Sequence, residues 1–458
     1  MLDLTVPRRI HVVGAGGAGM SAIADVLSRM GHRISGSDLK PSANLERLKG
    51  LGIEVWVGHD AGRVGAVDAV AISTAVPPTN PEVVAATERR VPVLRRAEVL
   101  AGIVATRRTA AVAGTHGKTT TSSMLALVLI EAGLHPSFII GGELNEIGTG
   151  AAWDAGEWLV VEADESDGTF LELGAEVAVV TSVEPDHLEQ YGDFDALVAA
   201  FDTFLSRARA RIVCADDPVA AELGRRHGAV TYGTAIDADY RMVGLVSGRT
   251  GVSFTLEHEG RAQAELKLPV PGRHNARNAA AAAVTGLLVG APLDAAGRAL
   301  GRYGGVARRF QFQGEGDGVT FVDDYAHLPG EVRAALAAAR DGGWRRVVCV
   351  FQPHRYSRTA ALWRDFADAF DDADLLVVSD VYPAGEAPRP GVSGRLIVQA
   401  VLDAHPTRRV AWFPRREALI AYLGRELRPG DVCLVLSAGD MSSLPREMLV
   451  PPAGSVAP

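Results

Sequence analysis

Residues 109–130 read TAAVAGTHGKTTTSSMLALVLI, and no other stretch restricts the fold as strongly. Ala110 to Ala113 is a short apolar β-type run, Gly114 breaks it, and Gly117-Lys118-Thr119-Thr120 follows. A helix-forming apolar segment is predicted from about Met124. Strand, glycine loop, Lys-Thr and helix, in that order, is the layout of a phosphate-binding P-loop. Glycines let the backbone wrap a phosphate, while loop N–H groups and the helix N-terminus point at the anion. The lysine adds a point charge at the terminal phosphates, and the hydroxyl after it is a ligand for Mg²⁺. The loop is a short form, G-x-x-G-K-T, because the position five before Gly117 is Val112. A bare glycine turn is the rival reading. Lysine occurs only at Lys40, Lys49, Lys118 and Lys267 in an arginine-rich chain, which favours a role for Lys118. As an exposed loop side chain it should carry little packing, so Lys118→Ala is expected to spare the fold.

The chain has 458 residues, too many for one ordinary core, and about three domains are expected. The predicted class is α/β, with boundaries at 1–107, 108–307 and 308–458. In the first domain an apolar strand, Ile10 to Val13, runs into Gly14-Ala15-Gly16-Gly17-Ala18-Gly19-Met20 and a helix to about Met30. A second strand, His32 to Ser37, ends at Asp38. Alternating strands and helices imply a parallel sheet covered on both faces. The loop is similar to a dinucleotide fingerprint, and Asp38 stands where a ribose-binding acid would. On its own this fits an NAD-dependent oxidoreductase, but the motif recognises pyrophosphate in general, including that of a UDP-sugar.

The second domain carries the P-loop, a strand from Trp158 to Val161, and the acidic run Glu162-Ala163-Asp164-Glu165-Ser166-Asp167. After a P-loop strand such carboxylates are metal- and water-positioning candidates. Strand Val177 to Ser182 ends at Glu184-Pro185-Asp186-His187, and His187 with Glu162 is a candidate Mg²⁺ site. Gly272-Arg273-His274-Asn275-Ala276-Arg277-Asn278 opens an alanine-rich helix, Ala279 to Leu288. Its two asparagines lie three apart, suited to an N-cap or to adenine. The third domain places Asp323-Asp324-Tyr325-Ala326-His327 and Gln352-Pro353-His354-Arg355-Tyr356-Ser357-Arg358 after apolar strands. That is the ligand edge of an open parallel sheet. Val450 to Pro458 is expected to be disordered.

A net charge of −9 argues against a nucleic-acid partner. Three scattered cysteines, Cys214, Cys349 and Cys433, suit buried thiols rather than a disulfide framework or zinc. With no signal-peptide h-region and no uncharged apolar run of 18 residues, membrane insertion is not expected and the location expected is cytoplasmic.

In chain order, GAGGAGMSAIA from Gly14, GSDL from Gly36, GTHGKTTT from Gly114, EADESD from Glu162, EPDH from Glu184, GRHNARN from Gly272, RRF from Arg308, DDYAH from Asp323, QPHRYSR from Gln352 and VYPAGE from Val381 cover almost the whole chain. Together they resemble the Mur ligases, and within them the members that add L-alanine to UDP-N-acetylmuramate in peptidoglycan synthesis. A murein-peptide recycling ligase is the alternative within the same family.

The resemblance implies a Rossmann-like UDP-sugar domain, a P-loop ATPase-type central domain and a Rossmann-like amino-acid domain. It also implies ATP with Mg²⁺ or Mn²⁺, and a monomer or weak homodimer. It assigns Gly14, Gly16, Gly17, Gly19, Met20, Ser37 and Asp38 to the UDP-sugar. Gly114, Thr115, His116, Gly117, Lys118, Thr119, Thr120, His274, Asn275, Asn278 and Arg309 go to ATP, and Thr119, Glu162 and His187 to the metal. Tyr325, His354, Arg355 and Arg358 go to the amino acid, and Lys118, Arg309, His327 and His354 to catalysis. The family's D-D-Y-[AG]-H-H-P-T-E-V is here D-D-Y-A-H-L-P-G-E-V, with Leu328 in place of the second histidine and Gly330 in place of the threonine. Activity is still expected, with His327 or His354 as the base.

Overall fold

Short runs of valine, isoleucine and alanine, most of them closed by a turn, build three sheets in the computed structural model, which describes residues 2 to 449. The tail from Val450 onward, expected to be disordered, lies outside the described residues. The chain divides into two units. One comprises Met1–Val243, Thr255–Leu266 and Arg277–Gly301, and the other Gly244–Phe254, Lys267–Ala276 and Arg302–Pro458.

The first unit opens with β1 (Arg9–Val13), α1 (Ala18–Arg29), β2 (Arg33–Asp38), α2 (Ala43–Gly50) and β3 (Glu54–Val57). It continues through β4 (Ala69–Ile72), α3 (Pro81–Glu88), β5 (Val93–Arg95) and α4 (Arg96–Val104). The strands pair in parallel in the order β3-β2-β1-β4-β5. Strand order reverses between β1 and β4, which opens a crevice at the carboxyl ends of the strands.

A larger sheet follows, from β6 (Arg108–Ala113), α5 (Lys118–Glu131), β7 (Ser137–Leu144), β8 (Thr149–Ala152), β9 (Trp158–Glu162) and β10 (Val177–Val180). Then come α6 (Leu188–Tyr191), α7 (Phe194–Arg207), β11 (Ala210–Cys214), α8 (Pro218–His227) and β12 (Val230–Gly233). Three further strands, β13 (Tyr240–Gly248), β14 (Gly251–His258) and β15 (Arg261–Leu268), complete the order β15-β14-β13-β12-β11-β10-β6-β9-β7-β8. The chain continues into α9 (Arg273–Leu288) and α10 (Leu293–Gly301). Residues from Ile10, Val12 and Ile23 to Ala111, Val161 and Val180 belong to one apolar core beneath both sheets.

Two helices begin earlier than predicted. α5 starts at Lys118 rather than about Met124, because Gly117 at φ +81° turns the chain directly into the helix. Thr121, Ser122 and Ser123 are fully buried in its first turns, so packing overrides their weak helix preference. α9 starts at Arg273 rather than Ala279, with Asn275 Nδ2 donating to the Pro271 carbonyl at 2.7 Å.

The second unit contains β16 (Gln311–Gly316), β17 (Val319–Asp324), α11 (Pro329–Asp341), β18 (Arg346–Gln352), α12 (Tyr356–Leu362), β19 (Leu375–Val378) and α13 (Arg395–Ala404). It ends with β20 (Val410–Trp412), α14 (Arg416–Glu426), β21 (Asp431–Ser437) and α15 (Leu444–Leu449). The order is β16-β17-β21-β18-β19-β20. All neighbours are parallel except the edge strand β16, which pairs antiparallel with β17. The three cysteines are buried and unpaired, in β11, β18 and β21.

Candidate active site

The P-loop is built by three sheet neighbours, β6, β9 and β10. Lys118 is not the exposed side chain expected. It is 13% exposed, and its Nζ donates to the Gly114 carbonyl at 2.8 Å and to both oxygens of Glu165 at 2.8 and 2.9 Å. Asp164 Oδ1 stands 3.9 Å away. A loop wrapped by two strand ends has little solvent around it, so a charge there needs a partner. Burial alone would lower the lysine pKa, but Glu165 and Asp164 hold it well above the ordinary range. Burial pushes Glu165 up, and the ammonium restrains that shift.

Thr119 Oγ1 donates to Glu162 Oε1 at 2.8 Å, and Glu162 Oε2 accepts from the Gly141 N–H at 2.6 Å. His187, in a left-handed turn at φ +52°, has Nε2 at 3.1 Å from Asp186 Oδ2. Thr115 bonds the Glu184 backbone both ways, and His116 Nε2 lies 3.3 Å from Glu184 Oε2. Thr120 is buried in the first turn of α5. Asn278 lies against the loop: its Oδ1 accepts from Thr121 Oγ1 at 3.3 Å, and a Cβ at Gly117 would collide with it. His274 and Asn275 belong to the other unit, His274 half-buried beside Gly272.

Within the first unit a cavity of about 680 Å³ is lined by Gly14, Gly17, Gly19, Met20 and Asp38 on one side. Ile139, Ile140, Gly141, Glu162 and Asp164 line it on the other. α1 points its N-terminus there, capped only by the Gly17 backbone, so its first N–H groups suit an anion. Asp38 Oδ2 is engaged by the Gly16 N–H at 2.9 Å, which holds the glycine loop closed. Gly16 itself does not line the cavity, and neither does Ser37, which is fully buried beneath it. The sequence reading missed His59, Ser73, Asn80 and Arg96, which also line this space. Their available signal was position, since His59 and Ser73 follow the ends of β3 and β4.

In the second unit His327 and His354 lie with ring centroids 5.5 Å apart, and His354 stacks on Tyr382 at 5.8 Å. Arg309 and Arg308 lie over the Tyr325 ring at 5.3 and 4.9 Å. Arg309 also approaches Glu331 at 3.7 Å. His327 Nδ1 is 2.9 Å from the Tyr325 carbonyl, an acceptor, which places the proton on Nδ1 and makes Nε2 the basic nitrogen. The Arg358 guanidinium donates to His354 Nδ1 at 3.1 Å. Burial, His327 and the neighbouring arginines push His354 down to about 3, so it is neutral and weakly basic at neutral pH. A general base works best with a pKa near the working pH, which favours His327 over His354 for that role. Arg355 occupies φ +66°, its N–H donating to the Tyr382 carbonyl at 2.8 Å. Leu328 is 4% exposed and forms the N-cap of α11, its N–H donating to Glu331 Oε2 at 3.3 Å.

Residues 9–108 match the model of the Mur ligase family, catalytic domain. Residues 112–286 match the Mur ligase middle domain and 308–439 the Mur ligase, glutamate ligase domain. A UDP-N-acetylmuramate--L-alanine ligase of Solidesulfovibrio magneticus is 46% identical over 95% of this chain and 96% of its own length. One of the same description from Pelotomaculum thermopropionicum is 44% identical over 96% and 97%. The crystal structure of a UDP-N-acetylmuramate-alanine ligase from Thermotoga maritima superposes with a TM-score of 0.81 at 30% identity, covering 96% and 98% of the two chains. A murein peptide ligase of Psychrobacter arcticus shares the fold, with a TM-score of 0.68 at 21% identity over 96% and 98%. No helix among the described residues is long and apolar enough to cross a membrane.

Proposed function

The chain belongs to the Mur ligase family, and from that premise we propose a residue-level account of how it joins L-alanine to the lactyl carboxylate of UDP-N-acetylmuramate at the expense of ATP. A carboxylate does not condense with an amine at neutral pH, because oxide is not a leaving group. Transfer of the γ-phosphoryl group of ATP gives an acyl phosphate, whose phosphate leaves when the amine of alanine attacks. Lys118 and the loop N–H groups hold the phosphates, and Arg309 meets charge developing on the transferred group. Gly14, Gly17, Gly19, Met20 and Asp38 receive the sugar nucleotide. His274, Asn275 and Asn278 serve the nucleotide of ATP.

The cavity supports this reading most directly, because it extends from the glycine loop of the first sheet to Glu162 and Asp164 beside the P-loop. An extended sugar nucleotide lying along it brings its far end toward the phosphate site. Thr119 and Glu162 oxygens 2.8 Å apart match the ~3 Å between adjacent ligands of a small octahedral ion such as Mg²⁺, and His187 is the third residue that the family resemblance assigns to it. Bound there, the ion would neutralise charge on the phosphates.

In the second unit Nε2 of His327 takes the proton from the alanine ammonium. Arg355 and Arg358 clamp the alanine carboxylate, and His354 anchors Arg358 while Tyr325 supports Arg309. Glycine and serine are discriminated only modestly, since one methyl is worth ~1–3 kcal/mol. The reaction is located to the cytoplasm, where ATP and sugar nucleotides are found, with the chain acting as a monomer or weak homodimer. Phosphate release from ATP should require both UDP-N-acetylmuramate and L-alanine. Preference for a tripeptide over alanine would move the reading to murein-peptide recycling, and micromolar binding of NAD⁺ would return it to an oxidoreductase.

A further inference from the structure

Glu82 is a fully buried carboxylate far from the P-loop in sequence, and its surroundings are polar. It sits in the first turn of α3, where Asn80 caps the helix and accepts from the Glu82 N–H at 2.9 Å. Its Oε2 accepts from Ser37 Oγ at 2.5 Å and lies 2.9 Å from His59 Nδ1. Its Oε1 accepts from the Asp60 N–H at 3.2 Å and lies 3.5 Å from His11 Nε2. Burial opposes its ionisation, but His11, Ser37 and the Asp60 N–H outweigh burial and hold it at about 2, so it is a carboxylate under all working conditions.

A carboxylate oxygen can only accept, so His59 must carry its proton on Nδ1. Nδ1 is also 2.9 Å from Ser37 Oγ, whose own hydrogen is already directed at Glu82. In the neutral ring the lone pair is therefore on Nε2, the far side of the ring from Glu82. His59 lines the cavity, and its Nε2 has no partner among the described residues. Asp38, Leu39 and Asn80 line the cavity with it, and Leu39 is 70% exposed, an apolar face suited to a flat ring.

We propose that Glu82 is a positioning residue for substrate selection. It fixes His59 in the tautomer whose Nε2 accepts a hydrogen bond from the nucleoside end of the sugar nucleotide, either the imide N–H of the base or a ribose hydroxyl. This rests on the reading of the cavity as the sugar-nucleotide site. The glycine loop takes the diphosphate and the Glu162 wall lies toward the phosphate-transfer site, which leaves the edge beside β2 and β3 for the nucleoside.

The test titrates UDP, 2′-deoxy-UDP and N3-methyl-UDP into the full chain and into His59→Asn, Glu82→Gln, the double variant and Ala18→Trp. His59→Asn keeps a group near Nδ1 but deletes Nε2, and one lost hydrogen bond is about a tenfold weaker Kd for UDP. Glu82→Gln frees the ring to present N–H at Nε2 and should show the same loss, and the double variant should be no worse than either single. The KM for UDP-N-acetylmuramate should rise in step while kcat and the KM for ATP stay level, which a purely structural brace would not produce. The analogue lacking the relevant donor should bind weakly to the parent and be indifferent to both substitutions, and this identifies base or ribose. Additive losses, or a Glu82→Gln change confined to melting temperature, would overturn the proposal. Ala18→Trp, at an exposed cavity position, separates the two readings. If it leaves UDP binding intact the cavity assignment itself fails, and if it abolishes binding while the other variants do nothing, only the role of Glu82 fails.

Discussion

Replacing Lys118 with alanine tests the P-loop more severely than an activity assay alone, because the lysine is half of a buried pair. Its removal leaves Glu165, whose side chain is 1% exposed, without its ammonium. Stranding a buried charge costs about 3–5 kcal/mol if the charge persists. The carboxylate has an escape: taking up a proton at pH 7 costs at most about 3.7 kcal/mol from an ordinary glutamate pKa, at 1.36 kcal/mol per unit. The raised pKa of Glu165 makes that escape cheaper. A loss of about 2–4 kcal/mol near pH 7.5 is therefore expected. The sign of its pH dependence is fixed. In the variant the folded protein holds the Glu165 proton to higher pH than the unfolded chain does, so the loss shrinks as pH falls toward 5. Urea unfolding at pH 5.5 and 7.5 measures this, and ATP-dependent phosphate release should fall on the order of 10²–10³-fold. Lys118→Ala with Glu165→Gln should recover stability without activity. A single variant as stable as the parent at both pH values would refute the account of the pair.

Leu328→His places an imidazole at a position 4% exposed, so it should lower stability by about 1–3 kcal/mol and change kcat by well under ~100-fold; a large gain in kcat would mean that the parent lacks its base. His327→Ala should cost at least ~100-fold in kcat and flatten the acidic limb of the pH–rate profile, whereas His354→Asn, already neutral across that range, should lower activity without moving the limb. Asp323 is pushed up to about 7, by burial first, despite the Arg308 guanidinium. Its folded-state proton is kept above the unfolded pKa, so its contribution to stability declines between about pH 4 and pH 7. Asp323→Asn should remove that slope, read as a stability difference from the parent that grows with pH in chemical denaturation.

The parallel sheets were legible because their strands are short apolar runs ending in glycine, aspartate or glutamate, as Val13-Gly14, Asp38, Ala113-Gly114 and Glu162 illustrate. The start of α5 was not, because Thr119 to Ser123 are weak helix formers whose helical state depends on burial. The acidic run after β9 was legible as a cluster of carboxylates but not in its division of labour: Glu162 bonds Thr119 while Glu165 bonds Lys118, a distinction that only the folded loop displays. His59 and Glu82 are 23 residues apart, one in the loop after β3 and one in a helix, and no periodicity links them. The ribbon β13 to β15 was not legible because none of its strands carries a long apolar run, and only β14 keeps a regular alternation of buried and half-buried residues.

The three cysteines give the molecule a built-in clock. Each thiol lies inside a sheet, and burial pushes Cys214 up to about 11, Cys433 up to about 12 and Cys349 well above the usual range. A thiol reagent therefore reacts only during excursions that expose the strand itself. Cys214 belongs to the first unit and Cys349 and Cys433 to the second, on the neighbouring strands β18 and β21. Labelling followed by peptide mass analysis thus times the opening of each unit separately in one native sample. A ligand that binds only one unit should slow one timer and leave the other running.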